Sequence, residues 1–224
     1  MHTNWPILYE DNHLLVVIKP AMLPTMGVPA GKTSLLVEAK DYIRQKYQKP
    51  GNVYLGIVSR LDTPVSGALV LARTSKAAAR LTEQFRIRSV RKTYLAAVAG
   101  PVEPPAGSLT HYLRKDERHR KVHTSIATAA GAQEARLHYR TIQPCGEATV
   151  LKVELETGRK HQIRVQLSAA GHPILGDRKY GSSHPFARGI ALHAHQLEFD
   201  HPVSKERLTF TAGLPESWKR FAIR

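Results

Sequence analysis

The chain has 224 residues, 42% hydrophobic and 23% charged, with 33 Lys+Arg against 18 Asp+Glu and a formal net charge of +15. That balance excludes a disordered chain and points to a polyanionic partner, most simply nucleic acid. The one cysteine, Cys145, excludes an intrachain disulfide and any zinc site needing two or more thiolates.

The N-terminal stretch MHTNWPILYEDNHLL lacks the basic start and apolar core of a signal peptide. No apolar run is long enough to cross a membrane as a helix. The expected location is the cytoplasm.

Ile7 to Tyr9 and Leu14 to Lys19 are predicted strands flanking a turn at Asp11-Asn12. Ser34 to Lys46 is a predicted amphipathic helix with a serine cap. Val53 to Val58 and Ala68 to Ala72 are short apolar strands, and Ser75 to Arg86 is a helix with Ala and Leu on one side. Further strands are predicted at Thr93 to Ala99, Ser108 to Leu113, Glu134 to Ile142 and Ala148 to Glu156. A helix over Arg159 to Ala170 ends at Gly171, two strands close the chain at Ile190 to Phe199 and Leu208 to Ala212, and Pro215 to Ala222 can form a terminal helix. Strands outnumber helices and short turns join many of them, so the expected class is α+β on a mostly antiparallel sheet. One domain over residues 1–224 is expected. Neither a G-x-G-x-x-G after a strand nor a Walker-type phosphate loop is present.

Two basic stretches stand out. One is Arg86 to Lys92, and the other runs from Arg114 to Lys121 and includes Lys115, Arg118 and Arg120. Read with the overall excess of cations, both suit contacts to a nucleic-acid backbone better than an idle solvated surface. Tyr112 is the only aromatic adjoining the second stretch, so a platform for many stacked single-stranded bases is not indicated.

Asp62 lies between two apolar strands in Val58-Ser59-Arg60-Leu61-Asp62-Thr63-Pro64-Val65-Ser66-Gly67. This spacing makes an ordinary turn, and it also sets a carboxylate at a sheet edge with Arg60 on the same strand face. The segment Thr157 to Arg164 puts three cations, Arg159, Lys160 and Arg164, in the first turns of a predicted helix, where cations are unfavourable. No acid lies between Glu156 and Asp177, so a protein carboxylate or a phosphate should offset them. Arg164 is expected to pair with a half-buried carboxylate, Asp62 being one candidate. His193-Ala194-His195 puts two imidazoles on one strand face, but no third ligand follows and no metal is expected. Ser66 lacks the nucleophile elbow of a serine hydrolase.

Taken together, these segments resemble the RluA family of pseudouridine synthases. VSRLDTPVSGALVLA is similar to the family's H-R-L-D-x-x-T-S-G motif, and GRKHQIRVQLSAAGHPILGDRKYG to its G-R-x-H-Q-I-R…G-D…Y-G motif. YEDNHLLVVIKPAMLP, RKTYLAAVAGPV and LHAHQLEFDHPVSKERLTFTAGLP match its opening, central and closing motifs, in order, from about residue 9 to residue 215. The resemblance implies a pseudouridine synthase fold and isomerisation of uridine in structured RNA, transfer or ribosomal, with no cofactor and no metal. It implies Asp62 as catalytic aspartate, Tyr94 as the residue packing on the base, and Arg164 as the partner of the catalytic carboxylate. Arg60 is implied to enter the RNA stack. Arg159, His161 and Gln162 of the same helix motif, with Arg114, Lys115 and Arg118, are the expected substrate contacts. A monomer suffices for this chemistry. Ser59 stands where the family has histidine, and Val65 where it has threonine. A separate N-terminal RNA-binding domain, carried by some members, is not expected. The competing readings are a basic RNA-binding module on the same scaffold without catalysis and, more remotely, a nucleic-acid hydrolase, which would need a metal cluster or second carboxylate near Asp62.

Overall fold

Alternation and capping place most elements where the sequence predicts them. In a computed structural model, which describes residues 3–29, 31–221 and 223, strands β1 (Ile7–Glu10) and β2 (Leu14–Lys19) form a hairpin. The Asp11 carboxylate closes its turn by accepting the N–H groups of His13 and Leu14. Helix α1 (Leu35–Lys46) starts at Ser34, whose side chain accepts from Val37 N, and buries Leu35, Ala39 and Ile43. That four-residue repeat puts one apolar stripe inward. Strand β3 is only Gly56–Ile57, shorter than the predicted Val53 to Val58, and pairs with β4 (Ser66–Ala72), which is buried throughout. Helix α2 (Ser75–Arg86) is capped by Thr74 and buries Ala77 and Leu81.

Strand β5 (Arg91–Ala99) is followed by β6 (Ala106–Asp116), β7 (Lys121–Ser125), β8 (Gln133–Cys145) and β9 (Ala148–Leu155). The charged stretch from Arg114 to Lys121 is therefore the tip of a β6–β7 hairpin, with Arg114 opposite His123 and Asp116 opposite Lys121. Helix α3 spans only Gln162–Ala169. Strands β10 (Leu192–Asp200) and β11 (Arg207–Thr211) pair antiparallel. The chain closes in a 3-10 helix, Glu216–Phe221; residue 222 of the predicted terminal helix lies outside the described residues.

By contact the chain divides into two compact units. The first comprises the N-terminal part to Arg91 with Ala194–Pro215, and the second comprises Lys92–His193 with the C-terminal residues from Glu216. In the first, β2 pairs antiparallel with β1 and β4, over a core including Leu14, Val16, Val70, Leu81 and Phe199. His201 locks this unit's ends together. Its Nε2 bonds the Asp11 carboxylate at 2.8 Å, while its Nδ1 accepts from the backbone of Val203 and Ser204. In the second unit β9 pairs with β5 and β8, and β6 with β8 and β7, all antiparallel. Among the described residues, antiparallel ladders with three α-helices make the α+β class expected from the sequence.

The Ser-Gly pair after the Asp62 turn has a steric reason. Gly67 has φ +125, and a Cβ there would lie 2.3 Å from the carbonyl oxygen of Ala194 on β10. Neither the dihedral nor the approach admits a side chain. Gly67→Ala should cost about 3 kcal/mol or more, because backbone on both strands must move. Denaturant unfolding measures it; a loss below about 0.5 kcal/mol, the size of an ordinary surface change, would contradict the steric account.

Candidate active site

Asp62 opens a tight turn in which Val65 N donates to Asp62 O at 3.0 Å. The residue is half-buried, Arg60 is exposed, and Leu61 and Val65 are buried anchors on either side. The segment thus makes the turn that its spacing allows. Val65 is 3% exposed, so the methyl-for-hydroxyl departure sits in an apolar setting.

What holds the turn is Lys19, at the end of β2. Its side chain is fully buried, and Nζ donates to the carbonyls of Leu23 (2.8 Å), Pro20 (2.9 Å) and Thr63 (3.3 Å). Three carbonyl acceptors match the three donors of an ammonium. Burial pulls its pKa down to about 7, and the negative charge of Asp62 works against that fall. Thr25 adds a second fastening: its hydroxyl donates to Leu61 O at 2.8 Å and accepts from Leu61 N at 3.3 Å. Sequence reasoning passed over Lys19, although a lysine ending the apolar run LLVVI is itself a signal that the ammonium must find partners inside.

In the second unit, Arg164 lies on α3 with 5% exposure. Its Nε and Nη2 donate to the two oxygens of Asp177 at 2.7 and 2.8 Å, a bidentate fork with Asp177 1% exposed. The carboxylate that orients Arg164 is thus thirteen residues downstream in its own unit. The signal was present: Asp177 is the first acid after Glu156. Arg159 and Lys160 precede the helix instead of occupying its first turn, because His161 adopts left-handed φ 55 at the N-cap. Arg164 stays in the first turn of α3, and the Asp177 carboxylate offsets its charge there.

The rest of the motif fastens this start. Gln162 is buried; its Oε1 accepts from Thr157 Oγ1 and Arg159 N, and its Nε2 donates to Arg136 O. Arg159 Nε donates to Glu134 O at 3.0 Å. His161 Nδ1 lies 2.6 Å from the Tyr180 hydroxyl, which also accepts from Val122 N on β7. The Tyr180 ring lies under both the Arg164 guanidinium (5.0 Å) and the Lys121 ammonium (5.4 Å). One four-residue segment, 177–180, therefore orients Arg164 and anchors the basic hairpin. Arg114, Lys115, Arg118 and Arg120 are exposed on that hairpin. Asp116, held by His119 N and the His119 ring, shapes its tip.

Tyr94 is half-buried on β5, in register with Val153 of β9, and not enclosed as strand periodicity alone suggests. Among the described residues no group of three or more His, Cys, Asp or Glu side chains could hold a metal, and no helix is long and apolar enough to cross a membrane.

Two measurements check this account. Asp177→Asn should cost about 3–5 kcal/mol in denaturant unfolding, since a buried guanidinium loses its counter-charge. A loss under about 1 kcal/mol, the range of an exposed pair, would contradict a buried fork. For Lys19 the sign follows from its lowered pKa. Between about pH 7 and the ordinary 10.5 the unfolded chain carries the proton and the folded chain does not. Stability therefore rises with pH across that window, and below it the burial penalty stands in full. Lys19→Met should lack that rise; parallel stability–pH curves for wild type and variant would contradict it.

With this geometry in place, the likenesses to known proteins are informative. The family described as RNA pseudouridylate synthase matches residues 13–169. An RNA pseudouridine synthase of Synechocystis sp. is 35% identical over 226 residues, covering 97% of this chain and 68% of that protein. Ribosomal large subunit pseudouridine synthase D of Nitrosomonas europaea is 38% identical over 222 residues, covering 94% of this chain and 62% of that protein. The solved human RNA pseudouridylate synthase domain containing 4 superposes with a TM-score of 0.80 at 25% identity, covering 96% of this chain and 92% of that one. A family match through most of the chain, and relatives above 30% identity along nearly all of it, leave one assignment: this chain belongs to the RluA-type RNA pseudouridylate synthases, isomerases that turn uridine into pseudouridine within RNA.

Proposed function

We propose that this enzyme isomerises uridine in ribosomal RNA of the large subunit, with Asp62 as its catalytic carboxylate. The observation that carries the role of Asp62 is its seat on a turn fixed by the buried Lys19 and by Thr25. A carboxylate that must meet one carbon atom needs a turn that does not move. The ribosomal target is supported by relatives named ribosomal large subunit pseudouridine synthase D, from Nitrosomonas europaea at 38% and Zymomonas mobilis at 37% identity.

The reaction breaks N1–C1′, turns the uracil, and joins C5 to C1′; C5 gives up its proton and N1 gains one. A stacked base is out of reach, so the uridine must be flipped out. In this proposal the exposed Arg60 fills the gap, Tyr94 packs on the uracil face, and Arg164, already oriented by Asp177, favours the charged form of the catalytic carboxylate. The carboxylate attacks C1′ or removes the C2′ proton; both roles need it ionised. Arg159, His161 and Gln162 support substrate binding by fixing the entry to α3. Arg114, Lys115 and Arg118 contact phosphates, which fits the +15 charge. The matched region, residues 13–169, runs through both units, which supports their acting as one catalytic domain. The enzyme is proposed to work as a cytoplasmic monomer without cofactor.

The test is tritium release from RNA labelled at uridine C5. Wild type should release it from ribosomal RNA, and Asp62→Asn should release none while keeping RNA affinity within about threefold, since phosphate contacts supply most of the binding. Release from transfer RNA alone would overturn the ribosomal target. Release by Asp62→Asn at the wild-type rate would overturn the role of Asp62. Tight binding without release by either protein would favour a non-catalytic RNA-binding module.

A further inference from the structure

The loop after β2 carries two exposed methionines beside the Asp62 turn, and the established isomerisation does not account for them. Met22 is 55% exposed and Met26 41% exposed. Water contact of this kind is usual for a mobile loop, but this one is fastened. Met22 N donates to Thr63 O at 2.8 Å, one residue past Asp62. Lys19 Nζ grips the carbonyls of Pro20 and Leu23 on either side of Met22, and Thr25 bonds both backbone groups of Leu61, one residue before Asp62. Met22 also has left-handed φ 70, a conformation that suits glycine and strains a residue with a side chain. Strain, exposure and rigid attachment at one apolar residue call for a reason outside the fold.

We propose that Met22 is a specificity-determining contact of the isomerisation: its thioether packs on the face of the RNA base next to the target uridine and holds that neighbour while the uridine is out of the stack. The inference rests on the reading of Asp62 as the catalytic carboxylate. Unbranched, polarisable methionine suits the π-face of a base, and apolar side chains of this type serve as wedges at opened base steps. The target is a nucleobase in the polyanionic strand that the enzyme acts on. In that reading exposed Arg60, two residues before Asp62, fills the vacated gap, and Met22 holds the neighbouring base.

The strain makes the proposal separable from a structural role. Met22→Gly relieves the left-handed backbone and should leave thermal stability equal or higher. It should also lower the single-turnover rate at saturating RNA about tenfold, the equivalent of one good sulfur–aromatic contact. Met22→Asn tolerates the same backbone but is polar, and should lose the rate likewise. Met22→Leu, apolar and of similar size, should stay within about threefold of wild type. Dissociation constants should change little in all three, because phosphate contacts dominate affinity. Wild-type rates in Met22→Gly and Met22→Asn would overturn the proposal. So would rate losses that follow falls in melting temperature across all three variants. A wild-type enzyme that releases no tritium would count against the function of Asp62 and not against Met22.

Discussion

A buried ammonium organises the Asp62 region. Lys19 ends a strand whose other residues are apolar, and its charge reaches no water. It must be met from inside, and three carbonyls from two chain segments meet it. That requirement joins the loop after β2 to the turn after β3, so Asp62, Met22 and Thr25 share one rigid seat. An apolar residue at position 19 would remove the cost of desolvation but leave three carbonyls to find new donors. Burial accordingly pulls the Lys19 pKa down to about 7, against the pull of the Asp62 charge.

The second unit uses a similar device with opposite ordering. There a guanidinium is fixed by a carboxylate buried as deeply as itself, and the fork geometry sets its plane. The segment that supplies Asp177 continues directly into Tyr180, whose ring and hydroxyl reach α3, β7 and His161. The basic hairpin is therefore not a loose arm. Its base is packed around Leu113, Val122 and Tyr180, and its cations extend from a fixed edge. The base of the basic hairpin and the placement of Arg164 draw on one small cluster of side chains.

Much of this was legible in the residues. Ser34 announced α1 by capping, and the one-sided Ala and Leu pattern announced α2. The motif around Asp62 could be read both as a turn and as a site, and it is a turn. Strand β7 escaped because Lys121–Ser125 has little apolar alternation; its pairing with β6 comes from the hairpin itself. The start of α3 was misplaced because a left-handed histidine, unlike glycine, leaves no mark in a sequence. Asp177 is not singled out in the sequence as a partner of Arg164, since charge patterns do not tell which carboxylates are buried. Asp177 is found only once Gly176 and the turn after α3 fold it back. For Lys19 the apolar run before it signals burial, but its partners are backbone carbonyls, which have no sequence signature.

The central claim is that Asp62, on its fixed turn, isomerises uridine in ribosomal RNA. Its most direct test is pseudouridine mapping across ribosomal and transfer RNA from cells lacking the gene, complemented with wild type or with Asp62→Asn. The account predicts that at least one pseudouridine in large-subunit ribosomal RNA disappears, returns with wild type, and stays absent with Asp62→Asn. An unchanged map in cells lacking the gene, or restoration by Asp62→Asn, would contradict it.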